Sequence, residues 1–194
     1  MGTRARLLLA LAALLGLGAL VLPLWEVRLG APQYPEGLGL RIYAHTVTGI
    51  KEHDLDNING LNHYIGMQAI TPDAIPELVY MPWLIGALVL AGLAVAAKGS
   101  RRAVLVWLGA FALLGVVGLW DFWRWEYDYG HNLDMENAII IVPGMSYQPP
   151  LIGSKQLLNF TASAWPGFGA VALGLSFLLT AAVWFFTRPR PEGA

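Results

Sequence analysis

Residues 79–120 read VYMPWLIGALVLAGLAVAAKGSRRAVLVWLGAFALLGVVGLW, two apolar runs joined by a short basic turn. The runs, about Val79 to Ala97 and about Ala103 to Trp120, each approach the ~20 helical residues needed to cross a bilayer. Working outward, two more such runs appear: about Leu7 to Leu24, LLLALAALLGLGALVLPL, and about Trp165 to Phe186. The 194-residue chain is 56% hydrophobic and only 13% charged, which places it among membrane proteins. The first run follows MGTRAR and lacks a small-x-small cleavage site where it stops at PLWEV, so it reads as an uncleaved span.

Basic residues set the expected orientation. Arg4 and Arg6 precede the first span, Lys98, Arg101 and Arg102 fill the second connection, and Arg188 and Arg190 follow the fourth span. By the positive-inside rule these segments are cytoplasmic, which places both termini inside a bacterial plasma membrane. Of the acids, only Glu192 lies on that side. Trp25, Trp83, Trp120, Trp123, Trp125 and Trp165 would mark the outer interface, with Trp107 and Trp184 nearer the inner one. The expected fold is an all-α membrane protein: four transmembrane helices in two hairpins, with outer segments 25–78 and 121–164 forming an extracytoplasmic cap.

Several classes are excluded or disfavoured. The chain has no cysteine, so disulfides, thiolate metal sites, iron–sulfur clusters and covalent haem are ruled out. No histidine lies in a span, so a haem between helices has no axial imidazole. No ionisable residue sits mid-span, which argues against a proton- or ion-coupled transporter. A formal net charge of −1 gives no reason to expect nucleic acid. Ala170 with Gly174, and Gly115 with Gly118, read as small residues that let helices approach closely.

Residues 52–67, EHDLDNINGLNHYIGM, concentrate polar chemistry in the first outer segment. On a helix, His53, Asp56, Asn59, His63 and Met67 share one face, and Leu55, Ile58, Leu61 and Ile65 share the other. Ahead of it, Leu40, Ile42 and Ala44 alternate in a short strand-like run. The calcium-loop pattern fails, because Gly60 is seventh from Asp54 and Ile58 falls on a ligand position. Imidazole and thioether suit copper, and His63 and Met67 are one helical turn apart. Equally, Asp and Asn in such a segment cap helices and satisfy turns.

The second outer segment begins DFWRWEYDYGHNLD, with acids and aromatics interleaved, and continues through VPGMSYQPPLIG, whose prolines and glycines predict turns. HNLD at 131–134 echoes HDLD at 53–56, so His131 and Asp134 would face His53 and Asp56 if the loops meet. Met145 is a further soft ligand or a packing residue. Lys155 could pair with an acid or with an anionic group.

The blocks HTVTGIKEHDLDNINGLNHYIGM and DFWRWEYDYGHNLD…VPGMSYQPPLIGSKQLLNF resemble those of small bacterial integral membrane proteins encoded near nitrous-oxide-reductase maturation factors and periplasmic copper chaperones. The resemblance implies an accessory role for an outward-facing copper enzyme. The candidate copper ligands are His53, His63, His131, Met67, Met145 and Asp56, and expected partners are a periplasmic copper chaperone, a cytochrome or a copper reductase. A second reading is a metal-free subunit that docks a redox partner through its aromatic-rich cap. A third is a surface enzyme using Asp54, Asp56 or Glu126 as acid or base, although no catalytic motif is present.

Overall fold

The computed structural model describes residues 1–187. Arg188, Arg190 and Glu192 of the charge argument lie outside the described residues. Four helices are long and apolar enough to cross a membrane: Thr3–Val21, Glu77–Lys98, Arg101–His131 and Phe168–Phe186. The first bends where α1 (Thr3–Leu15) gives way to the short α2 (Gly18–Val21). The others are α4 (Glu77–Lys98), α5 (Arg101–His131) and α6 (Phe168–Phe186), with α3 (Asp54–Tyr64) in the first long connection.

The chain is not all-α. A five-stranded antiparallel sheet in the order β3-β2-β1-β5-β4 joins the two long connections. The first supplies β1 (Trp25–Ala31), β2 (Tyr34–Ile42) and β3 (Val47–Gly49). The second supplies β4 (Gly153–Leu157) and β5 (Phe160–Pro166). The seam between them is the β1–β5 ladder, which runs from Trp25 opposite Pro166 to Gly30 opposite Thr161.

The all-α expectation failed because these strands begin and end at membrane boundaries. Trp25 reads as an interfacial anchor, yet it opens β1 and is buried, and its indole N–H donates to the Leu151 carbonyl at 3.0 Å. Trp165 and Pro166 read as the start of the fourth span but belong to β5, and α6 begins only at Phe168. In β1, Trp25 and Val27 turn inward while Glu26 and Arg28 turn outward, the period-2 pattern of a one-sided sheet. On the outward side Glu26 pairs with Arg28 and with Arg41 of β2, each at 3.3 Å.

The inner face of the sheet carries the main core of the cap: Trp25, Val27, Leu38, Leu40, Val47 and Ala164, covered by Ile58 of α3 and by Phe122, Trp125 and Tyr129 of α5. A 31-residue helix is ~46 Å long at 1.5 Å per residue, against a hydrocarbon core of about 30 Å. The helix is thus longer than a bilayer crossing needs, and its end beyond Trp120 packs on the sheet.

At the opposite end of the bundle, basic groups bind helix ends. Arg6 donates to the carbonyls of Ala96 (3.1 Å) and Ala97, and Arg101 donates to the Thr187 hydroxyl at 3.1 Å. Close helix packing does not use the three glycines singled out from the sequence, since Cβ atoms at Gly115, Gly118 and Gly174 would meet open space. Gly92 is the tight position: a Cβ there would lie 2.6 Å from the Trp107 ring and 2.8 Å from the Ala13 Cβ. Trp107 is buried in the bundle and donates to the Leu88 carbonyl at 2.9 Å.

Candidate functional site

The C-terminal end of α5 presents Phe122, Trp125, Glu126 and Tyr129 on one helical stripe, at spacings of three and four residues. Phe122 meets Trp25 edge to face at 5.5 Å, and Trp125 stacks on Tyr129 at 4.7 Å. Against this stripe lie the sheet, α3 and the 132–152 connection. Together they leave a cavity of about 100 Å³ whose walls are almost wholly apolar.

Glu126 lines that cavity and is 1% exposed, and neither carboxyl oxygen has a hydrogen-bond partner among the described residues. The Tyr147 hydroxyl, also on the wall and 4% exposed, is unpartnered too. Unpaired buried polar groups are rare in folded proteins because each forfeits its hydration. Burial pushes the Glu126 carboxyl up to about 7, and it also raises the phenols of Tyr147 and Tyr129. The Tyr129 hydroxyl is engaged: it accepts from Asn62 Nδ2 at 2.9 Å and donates to the Gln68 carbonyl.

Asp54 does structural work. Buried at the start of α3, its Oδ2 accepts from the backbone N–H groups of Gly39 (3.0 Å) and Lys51 (3.1 Å), tying the helix to β2. Asn59 fixes the chain beyond α3 by a reciprocal pair with Ile70, donating from Nδ2 to its carbonyl at 3.1 Å and accepting its N–H at 2.7 Å. These are the capping and turn roles open to Asp and Asn.

The six candidate copper ligands are dispersed. His53 and His63 sit at opposite ends of the 11-residue α3, both exposed, and Asp56 is exposed on the same helix. At 1.5 Å per residue the two imidazole-bearing backbones are ~15 Å apart along the axis. His131, exposed at the end of α5, stacks on Tyr127 at 4.0 Å and places Nδ1 2.8 Å from the Tyr127 carbonyl. Met145 lies half-buried in a turn, and Met67 lines the cavity. No three His, Asp or Glu side chains among the described residues form a group able to hold a metal ion.

The two connections do meet, but not where the HDLD/HNLD echo suggests. The Asp134 N–H donates to Gly66 O and the Ile140 N–H to Tyr64 O, each at 2.8 Å, so the 132–140 loop is stitched to the far end of α3 from His53. Hydrogen bonds from Asn137, first its side chain and then its backbone, hold the Asp134 carboxyl below the usual range, with a smaller contribution from His63. Lys155 donates to the Gln148 carbonyl at 3.2 Å.

Glu126 entered the sequence reading only as one of three possible acids. The signal that isolates it is its place inside the stripe Phe122, Trp125, Tyr129, where a carboxylate interrupts an otherwise aromatic helix face. The sequence matches no protein-family model and no curated protein.

Proposed function

We propose that this chain is a membrane-anchored binding protein of the bacterial plasma membrane, with both termini cytoplasmic and a cap that takes up a small ligand outside. One observation carries the reading: the cavity between sheet, α3 and α5 is lined mostly by apolar residues, and of its polar side chains Asn62 and Tyr129 are bonded to one another while Glu126 and the Tyr147 hydroxyl are buried with no partner among the described residues. Apolar walls with a few convergent polar groups are the usual makeup of a small-molecule site. Rigid positioning supports it as well, since β1–β5 pairing locks the two connections into one head. Of the aromatic residues of the cap, Trp25, Trp125 and Tyr129 are committed to this interior, while Trp123 and Tyr127 are exposed.

The test is a screen of small fragments, neutral and charged, against purified protein in nanodiscs, followed by intrinsic tryptophan fluorescence, to which Trp125 on the cavity wall contributes. Ala162, fully buried on the cavity wall, allows a cavity-filling control. Fragments should quench or shift the wild-type signal and fail to do so in Ala162→Leu. No hits, or hits that bind both proteins equally, overturn the proposal.

A copper-handling role is a second reading, favoured by the seam that sets the His63 end of α3 against the loop following His131. Imidazole with carboxylate at that seam would suit copper as transferred cargo, passed to or from a periplasmic partner. Titrating Cu(I) and Cu(II) into wild type and the His63→Ala/His131→Ala double variant decides it, and equal stoichiometry and affinity eliminate these ligands.

A further inference from the structure

The chemistry of the cap cavity narrows its ligand, an inference that rests on reading the cavity as a binding site. Its wall carries five aromatic residues, Phe122, Trp125, Tyr129, Tyr147 and Phe160, around a single carboxyl, Glu126. Among the described residues no Lys, Arg or His lines it, whether from the sheet, from α3, from α5 or from the 132–152 connection, so Glu126 has no cationic partner among them. The only other titratable groups on the wall are the phenols of Tyr129 and Tyr147. Tyr129 is already bonded on both sides, to Asn62 and Gln68. The oxygens left without partners are Oε1 and Oε2 of Glu126 and the Tyr147 hydroxyl.

A ligand that satisfies this set must donate hydrogen bonds and compensate a carboxylate charge, and it must offer apolar surface to ring faces. Anions fail against a lone buried carboxylate. Neutral alcohols leave the charge uncompensated. Ring faces attract cations through their negative quadrupole, which adds to the pull of the carboxylate. We propose that the cavity binds a small alkylammonium ion that retains at least one N–H and donates it to Glu126 while its alkyl groups lie against the aromatic walls. A cavity of about 100 Å³ confines the choice to small amines.

Calorimetry on the full chain in nanodiscs, with trimethylammonium, tetramethylammonium and tert-butanol as probes, tests this at pH 6 and pH 8. Trimethylammonium should bind at least about tenfold more tightly than either of the others, as loss of a charge-assisted hydrogen bond implies. Its binding should also tighten from pH 6 to pH 8 as the carboxyl ionises, and it should be lost in Glu126→Gln. A thermal melt checks that this variant folds, and the wild-type pH comparison needs no variant at all. Equal binding of tert-butanol overturns the cation assignment while leaving the cavity a ligand site. Binding of tetramethylammonium as tight as that of trimethylammonium overturns the N–H requirement. Failure of all three probes overturns the alkylammonium proposal, and the fragment screen with Ala162→Leu then separately decides whether the cavity binds any ligand.

Discussion

The Gly130 carbonyl accepts the backbone N–H of Tyr147 at 2.9 Å, so the end of α5 holds the loop that brings Tyr147 to the cavity. The approach is close because residue 130 has no side chain: a Cβ there would collide with the backbone of Gln148. Gly130→Ala should therefore force the loop away and destabilise the protein by about 1–3 kcal/mol, the usual cost of overpacking a well-filled site. A lower thermal midpoint in detergent, with a changed Trp125 emission, is the expected result. An unchanged midpoint would mean that the loop does not pack on Gly130.

The buried carboxyl of Glu126 should leave a signature in stability against pH. Burial raises it from 4.5 to about 7, so between those values the folded protein keeps a proton that the unfolded chain has released. Stability from this group is complete below pH 4.5, falls as pH rises toward 7, and levels off above. The full excursion is about 3 kcal/mol by linkage. Glu126→Gln mimics the neutral form, so it should remove this slope and leave the variant the more stable protein above pH 7. Paired unfolding curves from pH 4 to pH 8 give the difference directly. A constant difference across that range would contradict the unpartnered burial of Glu126.

The same residue shows what sequence reading reached and what it missed. The four spans were legible because uniform apolar runs are a one-dimensional signal that needs no partner. The sheet was not, because its central pair joins segments more than a hundred residues apart and each half looks like something else locally. Trp25 and Trp165 sit where interfacial anchors belong, and of the residues that β5 turns inward, Phe160, Ala162 and Ala164, the two alanines give only a faint hydrophobic alternation. In DFWRWEYDYGH the interleaving of acids and aromatics hides the helical period that gathers Phe122, Trp125, Glu126 and Tyr129 on one face. The α3 helix was readable from its apolar face, but the consequential acid was Asp54 rather than Asp56, since only tertiary contact with Gly39 and Lys51 distinguishes them.

Asp54 offers a third prediction. It is 3% exposed and satisfies two backbone donors with one oxygen. Truncation to Ala leaves both N–H groups without that partner, at a cost of roughly 2–3 kcal/mol. Amide exchange should accelerate at Gly39 and Lys51 in Asp54→Ala while the β1–β5 ladder stays protected. Unaltered exchange at both amides would show that water replaces the carboxylate without penalty.

Two glycines separate true helix contacts from apparent ones. Gly92 on α4 faces the Trp107 ring of α5 and Ala13 of α1, whereas Gly115 on α5 faces open space. Three helices thus converge where the absent side chain lets the indole ring lie against the α4 backbone, and its N–H reaches the Leu88 carbonyl one turn earlier. Gly92→Ala should push that ring out of register and lower stability by about 1–3 kcal/mol. Gly115→Ala adds a methyl group toward lipid and a better helix former, so it should be neutral or stabilising by up to ~1 kcal/mol. Unfolding of both variants in bicelles, read by tryptophan emission, distinguishes the two sites. Equal effects would mean that the bundle closes somewhere other than on Gly92.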